Sequence, residues 1–384
     1  MAARALIRIF LTLALVLALS PARAIETAAR AAIVVDYGTG LVLMEKNADT
    51  PLPPASMSKL MTIYMVFEAL EDGRLTLDEK LPVSERAMRQ GGSSMFLNTR
   101  DRVTVEDLIR GVVVLSGNDA TVVLAEALAG SEDEFARAMT RRARALGMTN
   151  STFANSNGMP DPGQRMSARD LATLAAALIR DFPQYYPYFG ETEFAFDGRT
   201  PANTRNRNPL LRLGIGADGL KTGYTDEAGY GLVGSAIRNG RRVIVMVNGL
   251  DSMGQRAREG ERLINWAFRQ FVEKKILDAG QEFGSAEVWL GEKPTVALET
   301  GAELVRLLPA SVVGRLSGEI TLIEPVAAPI EKGRRLATLR IDIPGMDSVE
   351  VPLLAAESVA PAGYPARLGV AAIRLAERLR GLIE

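Results

Sequence analysis

Histidine and cysteine are both absent from this 384-residue chain. The first absence removes the imidazole on which most general-base catalysis relies. The second removes thiolate nucleophiles, disulfides and the sulfur ligands of zinc sites. With no His or Cys ligands, and no carboxylate cluster at a recognisable site spacing, no metal site is expected. Any covalent catalysis must then pair a hydroxyl with an amine or a carboxylate. Lack of cysteine permits an oxidising compartment without establishing one. An excess of basic charge is missing too: 45 Lys and Arg stand against 46 Asp and Glu, a formal charge of −1. Nothing is therefore available to neutralise a nucleic-acid backbone, and no nucleic-acid partner is expected. Gly91-Gly92-Ser93-Ser94 lacks the lysine of a phosphate-binding loop, and no cofactor is expected.

What the chain does have is an ordinary globular composition, 47% hydrophobic and 24% charged, at a length that supports two or three cores. Arg4 and Arg8 precede an apolar run over 9–19, followed by Pro21 and the small-x-small string Ala22-Arg23-Ala24. This pattern reads as a secretory signal, residues 1–24, cleaved after Ala24. The run falls short of the roughly 20 apolar residues that a spanning helix needs. Its removal takes three arginines and no acid, which leaves an exported protein with a charge of about −4.

Beyond the signal, β-rich runs flank Asp36-Tyr37-Gly38-Thr39-Gly40, a turn-forming string. After Pro53-Pro54, the three- and four-residue spacing of Leu60, Ile63, Tyr64, Phe67 and Leu70 indicates a helix from 56 to about 71, stopped by Gly73. Capping boxes at Thr104 with Asp107, Ser131 with Glu134 and Ser167 with Asp170 announce further helices and a mostly helical middle. Strand-like runs over 230–237 and 242–247 meet across Asn239-Gly240, a hairpin signal. Helical periodicity returns over 262–274. Strands at both ends of a helical insert indicate an α/β domain. From about Gly280, strand-like runs over 287–290, 302–308, 319–323, 335–343 and 349–354 suggest a small all-β sandwich or barrel. After the 361–365 linker, Leu368, Ala371, Ala372, Leu375, Ala376, Leu379, Leu382 and Ile383 share one helical face, with Arg374, Glu377, Arg378, Arg380 and Glu384 opposite. That tail reads as an in-plane helix on anionic lipid, against the alternative of a helix packed on protein.

Three short strings carry the chemistry: Ser56-Met57-Ser58-Lys59, Ser116-Gly117-Asn118 and Lys221-Thr222-Gly223. About one Ser-x-x-Lys is expected by chance in a chain this long, so the force lies in context. Ser56 in the first turn of a helix places Lys59 at i+3 on the same face, within reach of its hydroxyl. A lysine base must lose its proton through burial or a nearby cation, and Lys221 is the candidate cation. Ser116 and Asn118, in an inter-helix loop, are placed to relay a proton and hold a substrate amide.

With these strings stand Gly92-Ser93-Ser94-Met95-Phe96-Leu97, Leu108-Ile109-Arg110-Gly111, Asp161-Pro162-Gly163-Gln164 and Lys221-Thr222-Gly223-Tyr224-Thr225-Asp226. The chain resembles a low-molecular-mass penicillin-binding protein of the D-alanyl-D-alanine carboxypeptidase type, a serine peptidase of family S11, over essentially its whole length. The resemblance implies an α/β (α+β) penicillin-binding/β-lactamase-like catalytic domain at 25–275, a β-sandwich domain at 276–365 and an amphipathic membrane-association helix at 366–384. It implies removal of the terminal D-alanine of peptidoglycan pentapeptides through a Ser56 acyl-enzyme, with β-lactams acylating the same serine. Lys59 is then the base, Ser116 and Asn118 assist, and Lys221, Thr222 and Gly223 bind the substrate with Arg256. Backbone N–H groups of Ser56 and Tyr224 form the oxyanion hole. The implied location is the periplasmic face of the inner membrane. Some relatives carry histidine directly after Lys-Thr-Gly and in the loop before Asp-Pro-Gly-Gln, where this chain has Tyr224 and Asn157-Gly158-Met159. A β-lactamase-like hydrolase is the first alternative, although no E-x-x-L-N string lies between Asn150 and Asp170. An inactive peptidoglycan-binding scaffold is the second.

Overall fold

A computed structural model describes residues 25–198, 202–323 and 325–364, so the expected signal and the 366–384 helix lie outside the described residues. The chain divides into two compact units, 1–263 and 264–384. The first begins with a hairpin of β1 (Ala31–Asp36) and β2 (Val42–Lys46). The Asp36 carboxylate closes its turn by accepting from the Thr39 N–H at 3.0 Å and hydroxyl at 2.8 Å. A 3-10 turn (Ala55–Ser58) then runs straight into α1 (Lys59–Glu71). The helix expected from Ser56 thus starts as a tighter turn, in which the Met57 N–H bonds the Pro54 carbonyl. Gly73, at φ +68°, ends α1 as anticipated.

The middle contains β3 (Lys80–Pro82), α2 (Glu85–Met88), β4 (Arg102–Thr104), α3 (Val105–Val113), α4 (Asn118–Ala129), α5 (Glu132–Ala145) and α6 (Ala168–Asp181). All three expected caps form: the side chains of Thr104, Ser131 and Ser167 accept from the N–H groups of Asp107, Glu134 and Asp170. Each such cap contributes about 1 kcal/mol. β5 (Ala217–Thr225), β6 (Gly229–Arg238) and β7 (Arg241–Leu250) return to the N-terminal hairpin, giving an antiparallel sheet of order β2-β1-β7-β6-β5. Arg238 pairs with Arg241, leaving Asn239 and Gly240 as a two-residue loop with φ of 50° and 81°, which is the type I′ turn the sequence signalled. Leu60, Ile63, Tyr64 and Phe67 of α1 are fully buried among helices on one side and Val233, Ile244 and Met246 of the sheet on the other. A helix covered on several sides needs no polar face, so α1 is buried over most of its length.

The helix expected over 262–274 spans α7 (Met253–Gln270), within which the division between units falls. Its first turns carry Gly254, Arg256, Arg258, Glu259, Gly260 and Glu261, too few apolar residues to show a period. The Ser252 hydroxyl nevertheless caps them by accepting from the Gln255 N–H at 3.1 Å. The helix stops at Gln270 because Phe271 and Val272 pair as a strand with Pro309 and Leu308.

The second unit is all β apart from the end of α7 and one 3-10 turn among its described residues: β8 (Phe271–Leu277), β9 (Glu282–Glu287), β10 (Thr295–Thr300), β11 (Leu304–Pro309), β12 (Ser317–Leu322), β13 (Arg335–Asp342) and β14 (Val349–Ala355). Five form a sheet of order β12-β13-β14-β10-β9, while β8 pairs with β11. Leu298, Leu308, Leu336, Leu339 and Leu353 fill its core. The strand expected over 287–290 lies earlier, at 282–287, and Trp289 joins Ala327 in an isolated parallel bridge. β8 and β10 were not anticipated, the first because Glu273, Lys274 and Lys275 break its apolar pattern.

Candidate active site

Ser56 lies in the 3-10 turn, and its geometry follows from one backbone conformation and two close approaches. Ala55 adopts a left-handed φ of 48°, which turns the chain sharply before α1. Gly223 of β5 passes so near that a Cβ there would sit 2.9 Å from the Pro54 carbonyl oxygen and 3.1 Å from the Ala55 Cβ. From the other side, a Cβ on Gly158 would lie 1.9 Å from the Ala55 carbonyl oxygen, and its own φ is +84°. A side chain at either glycine forces strand or loop off the serine turn.

One 3-10 turn on from Ser56, Lys59 is completely buried, and its Nζ donates to Ser56 Oγ at 2.8 Å and to the Asn157 carbonyl at 2.6 Å. Across the site, the Lys221 Nζ of β5 donates to Ser116 Oγ at 3.0 Å. Ser116 stands between α3 and α4 at a φ of 63°, left-handed backbone that a serine rarely adopts. Asn118 opens α4, with its Nδ2 bonded to the Gly91 carbonyl and its N–H to the Ser93 carbonyl, both at 2.7 Å. The wall formed by 91–97 is anchored by Asp119, whose carboxylate accepts from Ser94 Oγ at 2.7 Å and from the N–H groups of Met95 and Leu97. Thr222 is buried on β5.

Charge explains why this lysine differs from a surface one. Burial, first, and then the charges of Lys221 and Arg207 hold Lys59 well below the usual 10.5, with Asp119 pulling weakly the other way. Burial, followed by Arg207 and Arg256, lowers Lys221 to about 7. For an amine whose usual value is 10.5, that change corresponds to about 5 kcal/mol lost by the charged form relative to the neutral one. Burial also lowers Arg256 to about 10; the nearby Tyr230 opposes this and Arg207 adds to it. Arg256 is nearly inaccessible, stands 5.7 Å from the centroid of the Tyr230 ring, and leaves its Nε without a partner. Lys59, Lys221, Arg207 and Arg256 thus crowd one region whose neighbouring carboxylate, Asp119, is already occupied by the 91–97 wall.

The sequence reading placed Ser56, Lys59, Ser116, Asn118, Lys221, Thr222, Gly223, Tyr224 and Arg256 here, and the structure brings them together. Tyr224 is half exposed, stacks on Tyr230 at 4.2 Å between ring centroids and donates its hydroxyl to Asp226 at 2.7 Å. Arg207 and the Asn157 carbonyl went unnoticed. Arg207 sits in a loop among buried Asn206 and Asn208, and it donates to Ser93 Oγ. Its only trace in the sequence is a polar Arg-Asn-Arg-Asn string with no periodicity to place it.

A serine hydroxyl held on an amine whose protonated form burial and like charges disfavour, facing guanidinium and ammonium groups in excess, defines a serine acyl-transfer enzyme suited to an anionic substrate. The family model described as D-alanyl-D-alanine carboxypeptidase, peptidase S11, matches residues 18–252, and that of the penicillin-binding protein 5 C-terminal domain matches 271–361. The chain belongs to this family of serine-type, penicillin-binding D-alanyl-D-alanine carboxypeptidases. It is 39% identical over 349 residues to D-alanyl-D-alanine carboxypeptidase DacC of Escherichia coli K12, covering 88% of this chain and 86% of that protein. The crystal structure of penicillin-binding protein 5 from Haemophilus influenzae is similar at a TM-score of 0.68 and 34% identity, covering 88% of this chain and 98% of that one. Penicillin-binding protein D2 of Listeria monocytogenes, in its ampicillin-bound form, is similar at 0.58 and 34% identity over 64% of this chain and 99% of that one.

Proposed function

We propose that the protein removes the terminal D-alanine of peptidoglycan pentapeptides through an acyl-enzyme on Ser56. The observation that carries this reading is the 2.8 Å contact between Ser56 Oγ and a buried Lys59 amine beside Lys221. Neutral Lys59 takes the Ser56 proton as Oγ attacks the carbonyl carbon between the two D-alanines. The N–H groups of Ser56 and Tyr224 receive the developing oxyanion. Ser116 and Asn118 pass a proton to the departing amine and hold the substrate amide. Lys221, Thr222 and Arg256, with Arg207 beside them, receive the terminal carboxylate, and Gly223 lets β5 lie close enough for this. D-alanine leaves, and water hydrolyses the ester. A β-lactam presents a comparable carbonyl and carboxylate and acylates the same serine. Asn157 supplies its carbonyl where some relatives have histidine in that loop, so no imidazole takes part.

We further propose that residues 1–24 direct export and that the mature protein works at the periplasmic face of the inner membrane. The 366–384 helix holds it there, and the β-rich unit, read as a sandwich, spaces it from the lipid. Among the described residues no helix is long and apolar enough to cross a membrane. Truncation after residue 365 should release the protein from membranes in fractionation; a truncated form that still sediments with lipid contradicts the tail's role.

The wild-type protein should release D-alanine from a muramyl pentapeptide analogue and take up labelled penicillin, and Ser56→Ala should do neither. Fast nitrocefin turnover without D-alanine release would favour a β-lactamase, and absence of both a non-catalytic scaffold. The label also tests the charge argument. Below its pKa Lys59 is protonated and cannot act as base, so acylation falls as pH drops. Lys221→Met removes a charge that keeps Lys59 neutral, raises the Lys59 pKa and moves this acid limb to higher pH. An unmoved limb would show that the Lys221 charge does not act on the base.

A further inference from the structure

Lys59 is held by Ser56 and by the Asn157 carbonyl, so the position of the amine depends on what fixes the loop carrying that carbonyl. Ser156, fully buried, is the centre of that loop. Its carbonyl accepts from the Thr62 hydroxyl of α1 at 2.6 Å, one turn beyond Lys59. Its own two donors both turn to one oxygen of Glu132: the N–H at 3.1 Å and the hydroxyl at 2.7 Å. Thr121 Oγ1 lies 3.1 Å from Ser156 Oγ but gives its proton to the Asn118 carbonyl at 2.7 Å. The single Ser156 hydroxyl proton therefore goes to the carboxylate, where the bond is shorter and charge-assisted.

Glu132 is the first residue of α5, and it is only 4% exposed. Its other oxygen accepts from Arg86 of α2, Nε at 3.2 Å and Nη2 at 2.9 Å, while Asp133 shares the same Nη2 at 3.1 Å. Burying a carboxylate is costly unless it is paired and fully hydrogen-bonded. Here the guanidinium and the positive end of the helix dipole meet that requirement. Both loop donors can then rest on one oxygen. Gly158, clamped on the Ala55 carbonyl, fixes the loop's far end.

We propose that Glu132 is a positioning residue for the base: it pins the 155–158 loop so that the Asn157 carbonyl holds the Lys59 amine against Ser56. The proposal rests on the reading of Lys59 as base. The charged groups around Lys59 are Lys221 of β5, Arg207 and Asp119 of α4; Glu132 faces Arg86 of α2. None of these reaches the loop carbonyl. The loop is tied by Gln164 Oε1, which accepts from the Ala154 and Asn155 N–H groups at 2.7 and 3.2 Å, by Gln90 Oε1, which accepts from Asn157 Nδ2 at 3.2 Å, by the Thr62 hydroxyl on the Ser156 carbonyl, and by Glu132, which is the charged member of this group and takes both donors of Ser156.

The test follows attachment of labelled penicillin to the full-length protein, recording final stoichiometry, rate constant and pH profile. Stoichiometry at saturation counts the folded molecules, so a rate measured on that fraction separates positioning from stability. Glu132→Ala should reach full stoichiometry on its folded fraction at a rate 10- to 100-fold lower, since misplacing a catalytic group by about 1 Å costs rate on that order. Its acid limb should move to higher pH, because an unpinned loop admits water and relieves the burial that lowers Lys59. Glu132→Gln keeps an oxygen able to accept both loop donors and should recover most of the rate. Ser156→Ala removes one donor without emptying the anion site and should slow labelling severalfold. It also carries the test if Glu132→Ala does not fold. Wild-type rate and pH profile in Ser156→Ala, together with no deficit in the folded fraction of Glu132→Ala, overturn the proposal. Failure of the wild-type protein to label would instead strike the acyl-enzyme reading itself.

Discussion

A lysine amine sealed from water among other cations is the constraint around which this active site is built. In water the Lys59 ammonium would keep its proton, and the neighbouring serine would be an unreactive alcohol. Burial penalises the charged form first, and Lys221 and Arg207 add repulsion. Once the amine is neutral, its lone pair can take the proton of Ser56, whose Oγ lies 2.8 Å away. The chain thereby manages without an imidazole, in keeping with a composition that contains none.

The same constraint accounts for several otherwise expensive features. Lys221, Arg207 and Arg256 crowd the buried Lys59 amine near one committed carboxylate, and a ligand that brings a carboxylate relieves their repulsion. Ser116 holds an unfavourable backbone conformation to present its hydroxyl to Lys221, and Arg256 keeps a buried Nε unpartnered. These are the marks of a site arranged for a bound anion rather than for the stability of the free protein. The sheet and α1 hold these groups rigidly: the turn carrying Ser56 is wedged between Gly223 of β5 and Gly158 of the facing loop. Small residues there are a condition of the geometry.

Much of this was legible in the sequence where the signal is local. The caps at Thr104, Ser131 and Ser167 and the Asn239-Gly240 turn are short-range chemistry, and each forms as read. The first two catalytic strings were legible because each leads into a helix, where a pattern of a few residues has a geometric meaning, and the third because it lies on a strand beside the Asn239-Gly240 hairpin. What the sequence concealed depends on distant parts of the chain. Arg207 and Glu132 are unremarkable in their own segments and acquire roles only when the fold brings Ser93 of the 91–97 wall to the first and Ser156 of the 155–158 loop to the second. The start of α7 escaped because its first turns are charged and glycine-containing, and β8 because three charged residues mask a strand defined by pairing with β11. Ser56 departs slightly from expectation, since a proline-led 3-10 turn brings Lys59 to it as effectively as an α-helical one.

NMR of the lysine Nζ and Cε nuclei can read directly whether Lys59 gives up its proton well below the usual 10.5 while surface lysines keep theirs. In protein labelled at lysine, with the Lys59 signal assigned by its loss in Lys59→Arg, the account requires a resonance titrating far below the usual 10.5 and rising toward it in Lys221→Met. A Lys59 signal that titrates alongside the exposed lysines would contradict the account.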